Sequence, residues 1–180
     1  MILLIGASAS GKTEIAKELT KLFGIEKAIT TTTRLPRINE KNGVDYFFVT
    51  KEEFQTLAKQ GRFVETTEYN GNFYGCGKDQ ISDSKIVIVD PNGLKSFVNL
   101  GNRRIITFFM DASEETRFQR MIERGDKKED ALARIELDRT DFSYKNIGKT
   151  NYVINTENSN AKALATTVYK KYIDSLCKIR

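Results

Sequence analysis

The chain of 180 residues contains no histidine, and that absence narrows its chemistry before any motif is read. Histidine is the usual general base near neutral pH and the commonest transition-metal ligand. Cysteine is scarce as well. Cys76 and Cys177 stand far apart with no metal-ligand spacing, which argues against a disulfide framework and a zinc site. No apolar run approaches the roughly 18–20 residues that a membrane span needs. The opening Met1-Ile-Leu-Leu-Ile5 is too short for a signal peptide and lacks a basic leader and a cleavage site, so a cytoplasmic location is expected. Blocks of like charge are also missing. The net charge is +5 and the pI near 9.1, yet the basic residues are scattered among acids, which argues against a nucleic-acid surface. The chemistry must therefore run on carboxylates, arginines, lysines and a hard metal ion.

What is present suits one domain with a real core, spanning residues 1–180. The apolar run at residues 1–5 leads directly into Gly6-Ala7-Ser8-Ala9-Ser10-Gly11-Lys12-Thr13, which matches the phosphate-binding loop G-x-x-x-x-G-K-[ST]. Each part has a physical task. A buried strand fixes where the loop starts, and Gly6 and Gly11 permit backbone angles that a side chain would block. The loop amides form an anion nest at the positive end of the following helix. Lys12 offers a full charge to the β- and γ-phosphates, and Thr13 offers a hydroxyl to Mg2+. Ile15, Ala16, Leu19, Leu22 and Phe23 recur at helical spacing, so strand, loop and helix come in the required order. A nucleoside triphosphate is the expected ligand.

Downstream, Gly24 reads as a helix C-cap, Thr30–Thr33 as extended backbone, and Asn42-Gly43 as a turn. Asp45–Val49 reads as a strand, and Thr50-Lys-Glu-Glu53 as a capping box. Phe63–Tyr69 and Phe73-Tyr74, split by Asn70-Gly71, read as a hairpin. Residues 29–79 thus form a strand-rich insertion. An α/β pattern then resumes: a strand at 85–90, a helix near 93–100, a strand at 104–109 and a helix from Ser113 to about Arg124. A Gly125-Asp-Lys-Lys break, a helix over about 129–144, a strand at 151–154 and a helix over about 160–177 complete the chain. The predicted class is α/β, a parallel-sheet core with helices on both faces and one inserted lobe.

Within the insertion, Arg34 and Arg37 flank Pro36, and Tyr46 and Tyr74 sit on neighbouring candidate strands. Two guanidinium forks and two phenols would grip a monoester phosphate. The alternative is solvated arginines beside half-buried tyrosines. Thr-Thr-Arg34-x-Pro-Arg37, Asn42-Gly43-Val-Asp45-Tyr46-x-Phe-Val, Phe63-Val-Glu65 and Tyr69-Asn-Gly-Asn-Phe-Tyr74-Gly75 together resemble the guanylate kinase family. The resemblance runs from the phosphate loop to Val153-Ile-Asn155 and implies a P-loop kinase that transfers the γ-phosphoryl of ATP to GMP with Mg2+. By position it implies GMP-phosphate contacts at Arg34, Arg37, Tyr46 and Tyr74, and guanine contacts at Thr30 and Glu65. It places Cys76 against the base, and Asp90 near guanine and the metal. Chemistry supports Glu65 on its own terms: guanine presents N1–H and a 2-amine side by side, which one carboxylate accepts together. The alternative for Glu65 is an outward-facing hairpin residue.

The same resemblance makes residues 123–145 a mobile lid whose Arg124 and Arg134 close over the transferring phosphoryl. The core is then 1–28, 80–122 and 146–180. Lys12 joins those two arginines as the catalytic set, since phosphoryl transfer needs positioning and charge neutralisation more than a general base. Surface pairing is the alternative, because Asp130 with Arg134 and Glu136 with Arg139 have suitable spacings. Three departures stand out. Ile88-Val-Asp90 replaces Asp-x-Asp, Cys76 replaces Ser or Thr, and Pro91-Asn92 precedes Gly93 in place of the usual residues. They keep open a related kinase with another phosphorylated acceptor, and a catalytically retired binding module. The expected partners are ATP and GMP, with dGMP as a further acceptor and no membrane; oligomeric state is left open.

Overall fold

Alternation along the first strand sets the layers of the molecule. Ile2 and Leu4 enter one buried apolar cluster, while Met1, Leu3 and Ile5 enter another on the opposite face. The computed structural model describes every residue except Arg37, Asn39, Asn70 and Arg180, and the side chains of Tyr69 and Tyr144 are likewise outside the description. In chain order the elements are β1 (Ile2–Ile5), α1 (Lys12–Phe23), β2 (Glu26–Lys27), β3 (Thr31–Thr32), β4 (Phe47–Phe48), α2 (Lys51–Lys59), β5 (Phe63–Tyr69) and β6 (Asn72–Gly77). They continue with β7 (Lys85–Ile88), α3 (Pro91–Asn99), β8 (Ile106–Asp111), α4 (Glu114–Glu123), α5 (Lys128–Asp141), α6 (Tyr144–Ile147), β9 (Tyr152–Asn155) and α7 (Ala161–Cys177).

The main sheet has the order β2-β7-β1-β8-β9 and is parallel throughout. Parallel neighbours need crossover connections, and these place helices on both faces. Ile15, Ala16 and Leu19 of α1 and Leu164, Ala165, Val168 and Tyr172 of α7 close one face. Leu94 and Phe97 of α3 and Ile147 of α6 close the other. The expected α/β architecture is the one observed.

Four details differ from the sequence expectation, each for a local reason. β2 is an edge strand of two exposed residues, Glu26 and Lys27, so no apolar pattern announces it. β8 starts at Ile106 and runs to Asp111 because Asn102 and Arg104 form a turn: the Asn102 carboxamide accepts from the Arg104 amide at 3.0 Å. α3 begins at Pro91, since the Asp90 carboxylate caps it by accepting from the Gly93 amide at 2.7 Å. The expected strand at 45–49 shrinks to Phe47–Phe48 because the Asp45 carboxylate is used to close a turn on the Lys41 amide.

The insertion forms a separate sheet, β4-β3-β6-β5, with β5 and β6 as the expected hairpin. The capping box at Thr50 and Glu53 is complete. Phe54 of α2 then stacks on Phe63 and Phe73 of that sheet, at ring-centroid distances of 4.6 and 5.5 Å.

Phe108 is fully buried in the main core and stacked on Tyr152 at 5.2 Å. Phe108→Ala removes a ring that the surrounding β-strands cannot collapse to replace, and is expected to cost about 3–5 kcal/mol of unfolding free energy in urea titration.

Candidate active site

The loop between β1 and α1 is shaped by close approach. A Cβ on Gly6 would lie 2.4 Å from the Met110 carbonyl oxygen, so no side chain fits there. Gly11 takes φ 90°, and α1 begins after it with no side-chain cap on its first amides. Those amides point out of the helix as an anion site. Ala9 also adopts positive φ, 58°, a conformation that costs a residue with a Cβ on the order of 1 kcal/mol or more. The strain persists because the surroundings over-determine it. The Ser10 amide donates to the Ala7 carbonyl at 3.2 Å, and Arg120 donates to the Ala9 carbonyl at 3.3 Å.

Lys12 curls back onto its own loop, donating to the carbonyls of Gly6 and Ala7 at 2.6 and 2.7 Å and to Ser10 Oγ at 3.3 Å. Burial lowers its pKa to about 8; Asp138 works against that shift and Arg117 adds to it. Residues 9–14, Arg120 and Arg124 line a cleft of about 260 Å³ beside the loop. The structure thus brings Lys12, Thr13 and Arg124 to one place. Arg124 and Arg134 share a carboxylate: Arg124 Nε donates to Asp126 at 3.2 Å, and Arg134 approaches the same group at 3.5 Å. Arg134 pairs with Asp126, and Arg139 is held by Glu114 and Glu136, well into the surface.

The lobe gathers a second set. β3 pairs with β6 so that Thr32 lies opposite Tyr74, and with β4 so that Thr31 lies opposite Phe47. This register brings Tyr46 and Tyr74 edge to face at 6.3 Å, with the Arg34 guanidinium 5.4 Å from the Tyr46 ring. Arg34 also makes a two-pronged bond to Glu40, at 2.8 and 2.9 Å. Pairing with Glu40 raises the Arg34 pKa, and contact with Tyr74 adds to it. Arg37, expected beside them, lies outside the described residues. Glu40 was not singled out by sequence reasoning; an acid six residues from an arginine across a proline loop has no helical or strand period to reveal it.

Glu65 on β5 faces Cys76 on β6, and its carboxylate accepts from the Cys76 amide at 3.1 Å. Its pKa is raised, first by burial and then by the nearby charge of Asp90, although the Cys76 amide opposes the shift. Glu65, Cys76 and Asp90 therefore share one region, at the junction of lobe and core. Thr30 immediately precedes β3, its carbonyl accepting from Phe47 at 2.9 Å. Cys76 is fully buried among Ala28, Val87 and Leu94, and burial pushes its thiol up to about 12.

A site built from a triphosphate loop, an arginine pair and a lobe with a half-buried carboxylate has known counterparts. The guanylate kinase family model matches residues 1–169. The chain belongs to the guanylate kinase family. A guanylate kinase of Rickettsia typhi is 31% identical over 154 residues, covering 81% of this chain and 78% of that protein. One from Clostridium perfringens is 33% identical over 168 residues, covering 88% and 76%. The crystal structure of guanylate kinase from Anaplasma phagocytophilum superposes with a TM-score of 0.70 at 25% identity, covering 97% of this chain and 84% of that one. An uncharacterised protein from Eubacterium ventriosum shares the fold at a TM-score of 0.53 and 16% identity, covering 97% and 98%.

Set against the family pattern, Ile88 is a packing residue. It lies against the cluster formed by α1 and α7, so an apolar side chain suits that position. Sequence reasoning missed two members of the site: Asp138, and Arg117 as its partner. Arg117, Arg120 and Arg124 recur at helical spacing, but nothing in that spacing distinguishes a buried arginine from a solvated one.

The two thiols offer a direct check on this geometry. At neutral pH the folded protein should show one rapidly reacting thiol, the exposed Cys177, with Cys76 reacting only in denaturant. Two fast thiols in a spectrophotometric thiol titration of the native protein would contradict the placement of Cys76.

Proposed function

We propose that the chain is an ATP:GMP phosphotransferase, with the triphosphate on residues 6–13 and GMP in the lobe. The observation that carries this reading is Glu65: a half-buried carboxylate beside a backbone amide, in the same lobe as Arg34, Tyr46 and Tyr74. Guanine satisfies both oxygens of such a group through N1–H and the 2-amine. Adenine offers an acceptor at N1 and no amine, and would leave the carboxylate unpaired. Thr30 flanks the base, Cys76 lies fully buried behind Glu65 and out of reach of the base, and Arg34 with Arg37 and the two phenols bind its phosphate.

The acceptor phosphate is already ionised, so its oxygen attacks the γ-phosphorus directly and the bond from the γ-phosphorus to the β–γ bridging oxygen breaks. ADP leaves with that electron pair, GDP forms, and no general base is needed. Lys12, uncurled from the carbonyls of Gly6 and Ala7, neutralises the β- and γ-phosphates. Arg124 and Arg134 exchange their shared Asp126 for the transferring group by swinging their side chains over the loop and excluding water there, while Asp138 keeps α5 of the 123–145 segment bonded to the loop. Donors suited to Mg2+ are present: the Thr13 hydroxyl, and the Asp90 oxygen left over from capping Gly93. These are hard oxygens, few in number, as befits an ion that keeps waters and phosphate oxygens for most of its shell. When bound, Mg2+ supplies charge neutralisation on the phosphates. No helix among the described residues is long and apolar enough to cross a membrane; a cytoplasmic reaction on soluble ATP and GMP is part of the same proposal.

Two measurements test this reading. With ATP and Mg2+, ADP release should be strong with GMP and dGMP, which share the base edge and phosphate, and at least about 100-fold weaker with AMP, UMP or CMP. Equal use of AMP would refute it. Glu65→Gln should lower kcat/KM for GMP by roughly 100-fold or more while KM for ATP changes little. Acidification should act in the same direction. Because the Glu65 pKa is raised, its carboxylate is lost as pH falls through a point above the ordinary glutamate value. KM for GMP should therefore rise there, in a limb absent from the Glu65→Gln variant.

A further inference from the structure

The buried pair Arg117–Asp138 is not accounted for by substrate contacts. Arg117 on α4 and Asp138 on α5 are 2.8 Å apart, with side chains only 6% and 9% exposed. A buried ion pair is weak evidence for a stabilising role, because an apolar pair of similar volume commonly serves stability as well or better. This pair is also imperfect as a stabiliser: Arg117 Nε is buried without a hydrogen-bond partner. Where the pair is well made is toward the phosphate loop. The Ser8 amide donates to Asp138 Oδ2 at 2.8 Å, the Ser8 hydroxyl approaches Oδ1 at 3.4 Å, and Arg117 reaches the Ser8 carbonyl at 3.5 Å. Both backbone polar groups of Ser8 are thus held by one ion pair, immediately before the strained Ala9.

We propose that Asp138, backed by Arg117, is a positioning residue that sets the phosphate loop in register with the arginine helix. Ile135, Ala131 and Met121 pack α5 onto α4, so the carboxylate sits on a fixed support. Arg134 lies one turn earlier on the same helix, about 6 Å along its axis. Loop amides and closing arginine therefore share one rigid element, and displacement of either is felt by the other. The triphosphate, and not the acceptor, is the substrate that depends on this register. The inference rests on residues 6–13 being the ATP loop, which ATP binding by the unaltered protein, lost in Lys12→Ala, tests separately.

Removing one partner alone would bury an uncompensated charge and confound folding with function. The comparison is therefore made between two neutral pairs of similar shape. Arg117→Met with Asp138→Asn keeps an oxygen acceptor for the Ser8 amide; Arg117→Met with Asp138→Leu does not. Both should melt within a few degrees of each other. The first should keep KM for ATP within about threefold of the unaltered protein. The second should raise KM for ATP and lower kcat by roughly tenfold each, with KM for GMP nearly unchanged, since small misplacements of reacting groups have large rate effects. Should the leucine version fail to fold, Arg117→Met with Asp138→Ala carries the same expectation. Indistinguishable ATP kinetics for the acceptor-bearing and acceptor-lacking pairs would overturn the proposal and leave the ion pair a packing feature.

Discussion

A phosphate site made of backbone amides has to be braced from behind, because amides turned toward a ligand are amides withdrawn from secondary structure. Most of this molecule serves that constraint. β1 fixes the entry to the loop at the centre of a five-stranded sheet. Gly6 lets the chain pass against the Met110 carbonyl, and Arg120 ties the Ala9 carbonyl to Thr156 at the end of β9, donating to the Thr156 carbonyl at 2.6 Å. Support comes from β8, α4 and the end of β9, so the loop can keep a left-handed alanine that an isolated peptide would abandon.

The lobe is built on the opposite principle. Its sheet is antiparallel at the hairpin and small, and its entry is tied to the core where the Ile29 amide donates to the Gln80 side chain. Cys76 and Val64 nevertheless belong to the apolar cluster under α3. In the proposed reading the guanine end of the acceptor site is therefore rooted in the core, while the phosphate end, at Arg34 and Tyr46, lies in the connection between β3 and β4.

The parts of this design legible in the sequence are those that obey a period or a local rule. The phosphate loop, the capping box at Thr50, the hairpin and the parallel core could all be read that way, and the likeness of residues 30–75 to a known family singled out Glu65 and Arg34 as candidates. The parts that escaped are long-range polar pairings. Asp138 meets Ser8 across 130 positions, and no window of sequence joins them. β2 escaped for the reverse reason: a strand of two charged residues is defined only by the neighbour it pairs with. Asp90 was legible as a carboxylate ending a strand, but its capping of α3 depended on seeing Pro91 as a first helical residue.

The bidentate bond between Arg34 and Glu40 bears on how the protein lives among other anions. A chain of net charge +5 would ordinarily attract polyanions such as RNA or polyphosphate. Here some of the cations assigned to substrate are paired at rest: Arg34 with Glu40, and Arg124 and Arg134 with the single carboxylate of Asp126. A passing anion must displace a well-placed internal carboxylate before it gains anything, and only a ligand with further contacts to offer can do so. The resting enzyme thereby holds part of its positive charge in internal pairs, and that part is released most readily to a molecule that fits.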